Sequence, residues 1–355
     1  MLNCFLLAIQ RTALSAVFCL SFFCSAAQEQ PKKPAPLFSS DSILHIQLKG
    51  QVKQLLKDRD DNNQYHDLLL IHEQDSIQLK ARTRGKFRKN PENCGLPPLL
   101  LNFPKSAIPK QSVFAKQDKL KLVLPCQQGN YVVREYVAYK AYEIVAPVAF
   151  QTRLVHITPD DEALSGKNKQ PLTGFLIEAD EALAKRVGCM PMKDAKLTAI
   201  STQAESYFTM VLFQYMIGNT DWSVDFEHNI LLIGKPAERP IVVPFDFDQS
   251  GLVDAPYAVP SPELPIQSVQ DRLYRGVCHP EWPVFMKVAK RFLEKEVAIR
   301  AIFANAEGVD GSFKKMTSQY LDVFFEELRS EKNVAAIFAS NCNAEQKKLI
   351  KNFVY

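Results

Sequence analysis

Four polar residues set around two short apolar runs offer this sequence its clearest chemistry. They are Asp221 and Asn229 in "GNTDWSVDFEHNILLI" (218–233), and Asp246 and Asp248 in "PFDFDQSGLV" (244–253). A hard cation such as Mg²⁺ takes a carboxylate together with a neutral oxygen, and in phosphoryl transfer it bridges phosphate oxygens. An Asn at the start of one strand and an Asp at the end of its antiparallel partner meet that need. The competing reading is a surface hairpin with acidic ends, in which Asp246 and Asp248 are turn acids and Asp221 is an N-cap or Asx-turn residue after Gly218. Upstream, "KARTRGKFRK" (80–89) gathers Arg82, Arg84 and Arg88. They read either as guanidiniums facing phosphates or as a basic edge strand that discourages aggregation.

The elements that must position these residues follow from periodicity. "SILHIQLKG", "DLLLIHEQDSIQLKARTRG", "PPLLLNF" and "DKLKLVLPC" alternate apolar and polar residues and read as strands, the second as two strands joined by a turn at 73–76. In "DKLKLVLPC", Leu120, Leu122 and Leu124 share one face, and Lys119, Lys121 and Val123 the other. "NYVVREYVAYKAYEIVAP" is a helix that Pro147 ends, and "AFQTRLVHIT" and "LTGFLIEAD" return to strand. Helical spacing then runs from Leu197 to Tyr215 and stops at Gly218. "WPVFMKVAKRFLEKEVAIRAIF" and "KKMTSQYLDVFFEELRSE" are amphipathic helices, with a third expected near "NAEQKKLIKNF". Strands, one helix and strands again, followed by helices around one hairpin, predict an α+β chain.

With 355 residues, 46% hydrophobic and 23% charged, the profile is that of an ordinary globular chain, and a net charge of +4 does not suggest nucleic acid. Residues 1–27 carry an arginine, an apolar stretch and then small residues, with no acid before Glu29, the pattern of a cleaved leader. The alternative is an uncleaved membrane anchor, for which the apolar segment is short. Export is therefore expected, to the periplasm or outside the cell, with no membrane span after cleavage. Residues 28–42 read as a Pro/Lys/Ser linker. Beyond the leader stand Cys94, Cys126, Cys189, Cys278 and Cys342, without zinc spacing. A Cys94–Cys126 bridge is expected, against the alternative of small buried thiols.

The hairpin segment resembles the catalytic core of the CotH-like spore-coat kinases and, more distantly, of HipA-like kinases. Gly218, Asn219 and Asp221 match the start of the family's loop, Asn229 its end, and Pro244, Asp246 and Asp248 its closing motif. "KARTRGKFR" is similar to the family's Arg-x-Arg-Gly entry, "KLKLVLPCQQGNYVVREYVAYKAYE" to its lysine strand and helix, and "TGFLIEADEALAKRVG" to its hinge. The resemblance covers roughly residues 78–255. It implies a bilobal protein-kinase-like fold, with a β-rich N-lobe (43–178) holding one main helix and a mostly helical C-lobe (179–355) holding a catalytic hairpin.

It further implies ATP with Mg²⁺ or Mn²⁺ as cofactors and a protein or other hydroxyl as acceptor. Asp221 would be the catalytic acid or base, with Asp225 behind it, and Asn229 and Asp246 the metal ligands, with Asp248 in reserve. Lys121 and Arg84 would contact phosphates, Glu135 would pair with Lys121, and Glu178 would sit at the hinge. The bland readings are a solvated lysine at 121, an exposed helix charge at 135 and a loop hydrogen-bonder at His228. The stretch from Asp221 to Asn229 is longer than the family's loop, and Trp222–Ser223 replaces its Arg-His pair. That departure supports a second reading, a secreted pseudokinase acting as a nucleotide- or protein-binding module. No G-x-S-x-G elbow is present, and Cys278–His279, being sequence neighbours, do not make a dyad.

Overall fold

A computed structural model describes residues 35–342 apart from 63, 105–107 and 128, so the leader, part of the linker and the helix expected near 343–353 lie outside the described residues. The first strands are β1 (Leu44–Gly50), β2 (His66–His72), β3 (Asp75–Thr83), β4 (Leu99–Asn102), β5 (Lys119–Val123), β6 (Thr152–Asp160) and β7 (Leu172–Ile177). They close into a barrel in the order β1-β2-β3-β4-β5-β7-β6. Alternation decides which residues fill it: Leu44, Ile46, Leu70, Leu79, Leu101, Leu120, Leu122 and Leu176 belong to one buried cluster. Lys121 and Val123 take the other face of β5, as the pattern predicts, and line a recess described below.

The bilobal kinase-like arrangement with a β-rich N-lobe is not what forms, although the α+β class stands. β1 pairs antiparallel with β2 on one side and parallel with β6 on the other, from Leu44 opposite Val155 to Lys49 opposite Asp160. The sheet therefore closes on itself. Closure removes free strand edges, whose unpaired N–H and C=O groups would otherwise seek partners. An alternating strand looks the same in an open sheet and in a barrel, so periodicity could not foresee it.

Two short helices are α1 (Val52–Lys57) and α3 (Asp180–Arg186). Helix α2 (Tyr131–Val145) lies against β6 and β7 on one side and against α4 (Ala204–Ile217) and α6 (Glu296–Ala304) on the other. It is consequently buried nearly all round, including Glu135. α4 is more apolar still, with Phe208 and Phe213 at most 1% exposed, and each such side chain contributes about 1.5–3 kcal/mol by burial. The helix begins at Ala204, later than its spacing suggested: the preceding residues hold a 3₁₀ turn at Ala199–Ser201, and the Gln203 N–H donates to Pro240 O instead.

Beyond α4, β9 (Ile230–Gly234) pairs antiparallel with β10 (Ile241–Pro244) as expected. A third strand, β8 (Met190–Met192), joins on the other edge of β9. The long helix expected over 282–303 divides into α5 (Trp282–Glu294) and α6, followed by α7 (Gly311–Arg329) and α8 (Glu331–Phe338). No helix among the described residues is long and apolar enough to cross a membrane.

Gly218 ends α4 in the left-handed region, φ +66°. Its N–H donates to Tyr215 O (3.1 Å) and that of Asn219 to Gln214 O (2.8 Å), the paired bonds of a glycine C-cap. A Cβ here would collide with the Tyr320 hydroxyl. Gly218→Ala is expected to cost roughly 1–3 kcal/mol, from left-handed strain plus the collision. Urea unfolding measures it, and an unchanged midpoint would contradict this account of the turn.

Candidate functional site

The turn after α4 presents Asp221. Asn219 Oδ1 accepts from the Asp221 N–H (3.0 Å), so the Asx turn is made by Asn219 and not by the Asp221 side chain. Trp222 donates its indole N–H to Asn219 O (3.1 Å), and Arg275 donates to the Thr220 and Trp222 carbonyls. The residues that lengthen this loop then fold on themselves. Ser223 and His228 exchange backbone hydrogen bonds (3.0 and 2.9 Å), closing a tight hairpin whose tip carries Phe226, 87% exposed. The extra residues thus leave the line between Asp221 and Asn229 instead of separating them. Asn229 Nδ2 donates to Asp221 O (2.8 Å) and to Oδ2 (2.9 Å), while His228 Nε2 lies 2.8 Å from Oδ1. His228 is the hydrogen-bonder that its setting implied. Asp225 points elsewhere, accepting from the Ala199 N–H, and does not line the recess.

The β9–β10 ladder brings Asn229 and Asp246 together. Ile230 pairs with Pro244, and one step outward the Phe245 N–H donates to Asn229 O (3.0 Å). Asn229 (φ +52°) and Asp246 (φ +63°) both adopt the left-handed region, uncommon for non-glycine residues and costly unless neighbours impose it. At Asp246 that neighbour is Tyr139 of α2, whose hydroxyl accepts from the Asp246 N–H at 2.7 Å. The Tyr139 ring packs on Phe247, centroids 4.7 Å apart.

Arg88, read from the sequence as a phosphate-facing guanidinium or a basic edge charge, is instead a buried centre that holds carboxylates. Its guanidinium is buried and donates to Asp248 Oδ2 (2.8 Å) and Glu135 Oε2 (2.5 Å), with Asp246 Oδ1 at 3.9 Å. The segment that carries it is anchored from behind by the Cys94–Cys126 disulfide, the pairing expected, and by Arg59, which donates to Cys94 O (2.7 Å). A second disulfide, Cys278–Cys342, was not expected, and Cys189 is free. The expected Lys121–Glu135 pair does not form. Lys121 Nζ meets Asp180 Oδ1 at 2.5 Å, above the rings of Phe150 and Phe245 (4.9 and 5.1 Å). Glu135 lies one layer deeper on Arg88, whose planar fork can serve several carboxylates as an ammonium cannot. Glu178 is held by Arg186 (3.0 and 2.8 Å) and does not line the recess.

Arg84, Lys121, Asp221, Asn229, Asp246 and Asp248 all line one recess of about 640 Å³. Arg84, Lys86 and Lys121 bring positive charge, Asp221 and Asp246 negative charge, and Val123, Ile177 and Phe245 give an apolar wall. The Arg84 guanidinium makes no ion pair among the described residues. Asp246 exposes about half its side chain, and does so into the recess; its carboxyl is pushed up to about 6 by burial first and by Asp248 next, with Arg88 opposing. Burial lowers Lys121, against the pull of Asp180.

These residues fit one hard cation only in part. Two acceptors on Asp221 fix the Asn229 NH₂ on that side, leaving its Oδ1 outside those two bonds, and the Asp246 carboxylate lines the same recess. Asp248 does not fit, being buried and engaged by Arg88. No group of three His, Cys, Asp or Glu among the described residues could hold a metal alone. One carboxylate and one amide oxygen match Mg²⁺ sites completed by phosphates.

Glu135 is pushed up to about 8, by burial above all and against the pull of Arg88, and its Oε1 is buried without a hydrogen-bond partner. Between the ordinary 4.5 and about 8, the folded chain keeps a proton that the unfolded chain has released. The stability this gives is complete below the ordinary value and is lost as pH rises through the folded one. Glu135→Gln keeps an oxygen for Arg88 and cannot ionise. It should flatten the fall in denaturant midpoint between about pH 5 and about pH 9; an unaltered slope would refute the assignment.

No family model matches the sequence, and no curated protein matches it. Among solved structures the chain is similar to the Helicobacter pylori proinflammatory kinase CtkA, at 13% identity and a TM-score of 0.40, over 69% of this chain and 91% of that one.

Proposed function

We propose that the recess binds ATP with Mg²⁺ or Mn²⁺ and transfers the γ-phosphoryl group to a hydroxyl on a protein or another acceptor. One observation carries this reading: Arg84, Lys121, Asp221, Asn229 and Asp246, far apart in sequence, line a single recess with cations and carboxylates together. Asp246 and Asn229 would hold the divalent ion, which neutralises phosphate charge when bound. Arg84 and Lys121 face the phosphates, and Val123, Ile177 and Phe245 flank the base. Asp221, oriented by His228 and Asn229, receives the acceptor hydroxyl. As the acceptor oxygen bonds to the γ-phosphorus and the bond to the β–γ bridging oxygen breaks, the hydroxyl proton passes to the Asp221 carboxylate. The chain acts outside the cytoplasm, a placement with which its two disulfides agree.

A specific observation favours the second reading, a binding module without catalysis. Both Asp221 oxygens already have hydrogen-bond partners, so taking a proton requires releasing one of them.

The two are separated by binding and transfer measured together. Wild-type protein should show a thermal shift with ATP that depends on Mg²⁺ or Mn²⁺, and Asp246→Ala should abolish it. Asp221→Asn should retain the shift and lose transfer by about 10²–10⁴-fold. No shift in the wild type would overturn nucleotide binding; a shift without transfer would establish the binding module.

A further inference from the structure

We propose that Ser261 is a phosphoryl acceptor for the recess of its own chain, modified in cis. The proposal rests on the phosphotransferase reading and names an acceptor for it. Between β10 and α5, residues 245–281 form neither helix nor strand. This segment is fastened at both ends beneath the Asp221 turn. The Gly251 and Leu252 N–H groups donate to Gly218 O and Ile217 O (3.1 and 3.0 Å), and Arg272 and Arg275 donate to Met216 O and Trp222 O (3.3 and 2.8 Å).

Its middle returns to the recess, where Ser261 is exposed and is one of the lining residues together with Asp221 and Asp246. Pro260 and Pro262 flank it, and the Leu264 N–H donates to Ser261 O (3.0 Å), a turn with Ser at its first position and Pro at its second. The two prolines have no N–H to offer, so the backbone here is not bound into a ladder. The Ser261 hydroxyl has no hydrogen bond among the described residues, and this segment can move toward a bound phosphate without breaking sheet or helix.

Two other hydroxyls line the recess; the first is engaged in a hydrogen bond, and the second sits on a backbone clamped through its carbonyl. Tyr139 accepts from the Asp246 N–H, and Thr220 stands in the turn that Arg275 clamps. Arg84 and Lys86 also line the recess, with no ion pair among the described residues. A phosphoserine carries close to two negative charges and three acceptor oxygens, and these cations would receive it. In the transfer, the Ser261 oxygen bonds to the γ-phosphorus, the β–γ bridging oxygen leaves with the nucleoside diphosphate, and the hydroxyl proton passes to Asp221.

The experiment starts from phosphatase-treated full-length protein, incubated with ATP and Mg²⁺ or Mn²⁺ and followed by intact mass and peptide mapping at several protein concentrations. The expected result is one phosphoryl group on the peptide containing Ser261, with a rate constant independent of protein concentration. Ser261→Ala should remove that modified peptide, and Asp246→Ala should prevent its formation. Phosphorylation of added dephosphorylated casein with Ser261 unmodified would overturn this proposal and leave the phosphotransferase reading intact. A rate constant that rises with protein concentration would overturn the cis step. A wild-type chain that neither binds ATP nor transfers would overturn both.

Discussion

The rest of the structure depends on one buried guanidinium. Arg88 joins three chain segments: its own loop between β3 and β4, α2 through Glu135, and the turn after β10 through Asp248. Such a cluster adds little net stability, because removing the charges from water offsets most of their attraction. Leaving one partner alone in the interior would cost about 3–5 kcal/mol. The cluster therefore penalises any arrangement in which the barrel, α2 and the hairpin are out of register. It sets geometry more than it sets stability, and the Asp246 carboxylate, held 3.9 Å from the same guanidinium, inherits that geometry.

From this centre the site is assembled by backbone constraints. Tyr139 accepts the Asp246 N–H and so secures a left-handed aspartate from the helix that also carries Glu135. The glycine cap of α4 turns the chain toward Asp221, and the small hairpin from Ser223 to His228 returns it to Asn229. Carbonyls at the end of α4 also receive the N–H groups of Gly251 and Leu252, which ties the segment after Asp248 to the one before Asp221. The two halves of the hairpin motif are thus fixed to each other twice, once through the β9–β10 ladder and once through the α4 terminus.

Much of this was legible in local pattern. The strands around 44–83 and 119–123, the helix over 131–145 and the β9–β10 pair follow from alternation, a helical stripe and turn residues, all of which act over a few residues. Asn229 and Asp246 could be paired because hard-cation chemistry limits the residue types and a hairpin limits their spacing, whereas Asp221 was marked out by the resemblance of its loop. Lys121 could be placed on the outer face of its strand but not given its partner. Asp180 lies 59 residues away, while Glu135, nearer in sequence, is taken by Arg88. Glu178 was misread because an acid after a strand looks alike whether it faces a ligand or, as here, an arginine on the next helix.

The sequence by itself determined the α+β composition, most of the strands and helices, and Asp221, Asn229 and Asp246 as polar residues that line the recess, because these depend on side-chain chemistry and short-range periodicity. Only the tertiary structure decided that the sheet closes through a parallel β1–β6 pair, that the longer loop folds away as a hairpin, and that Arg88 rather than Lys121 holds Glu135. The barrel closure and the Arg88–Glu135 pair turn on contacts between residues tens to more than a hundred positions apart. Their energies come from edge closure and buried charge pairing, and neither leaves a mark on the local pattern.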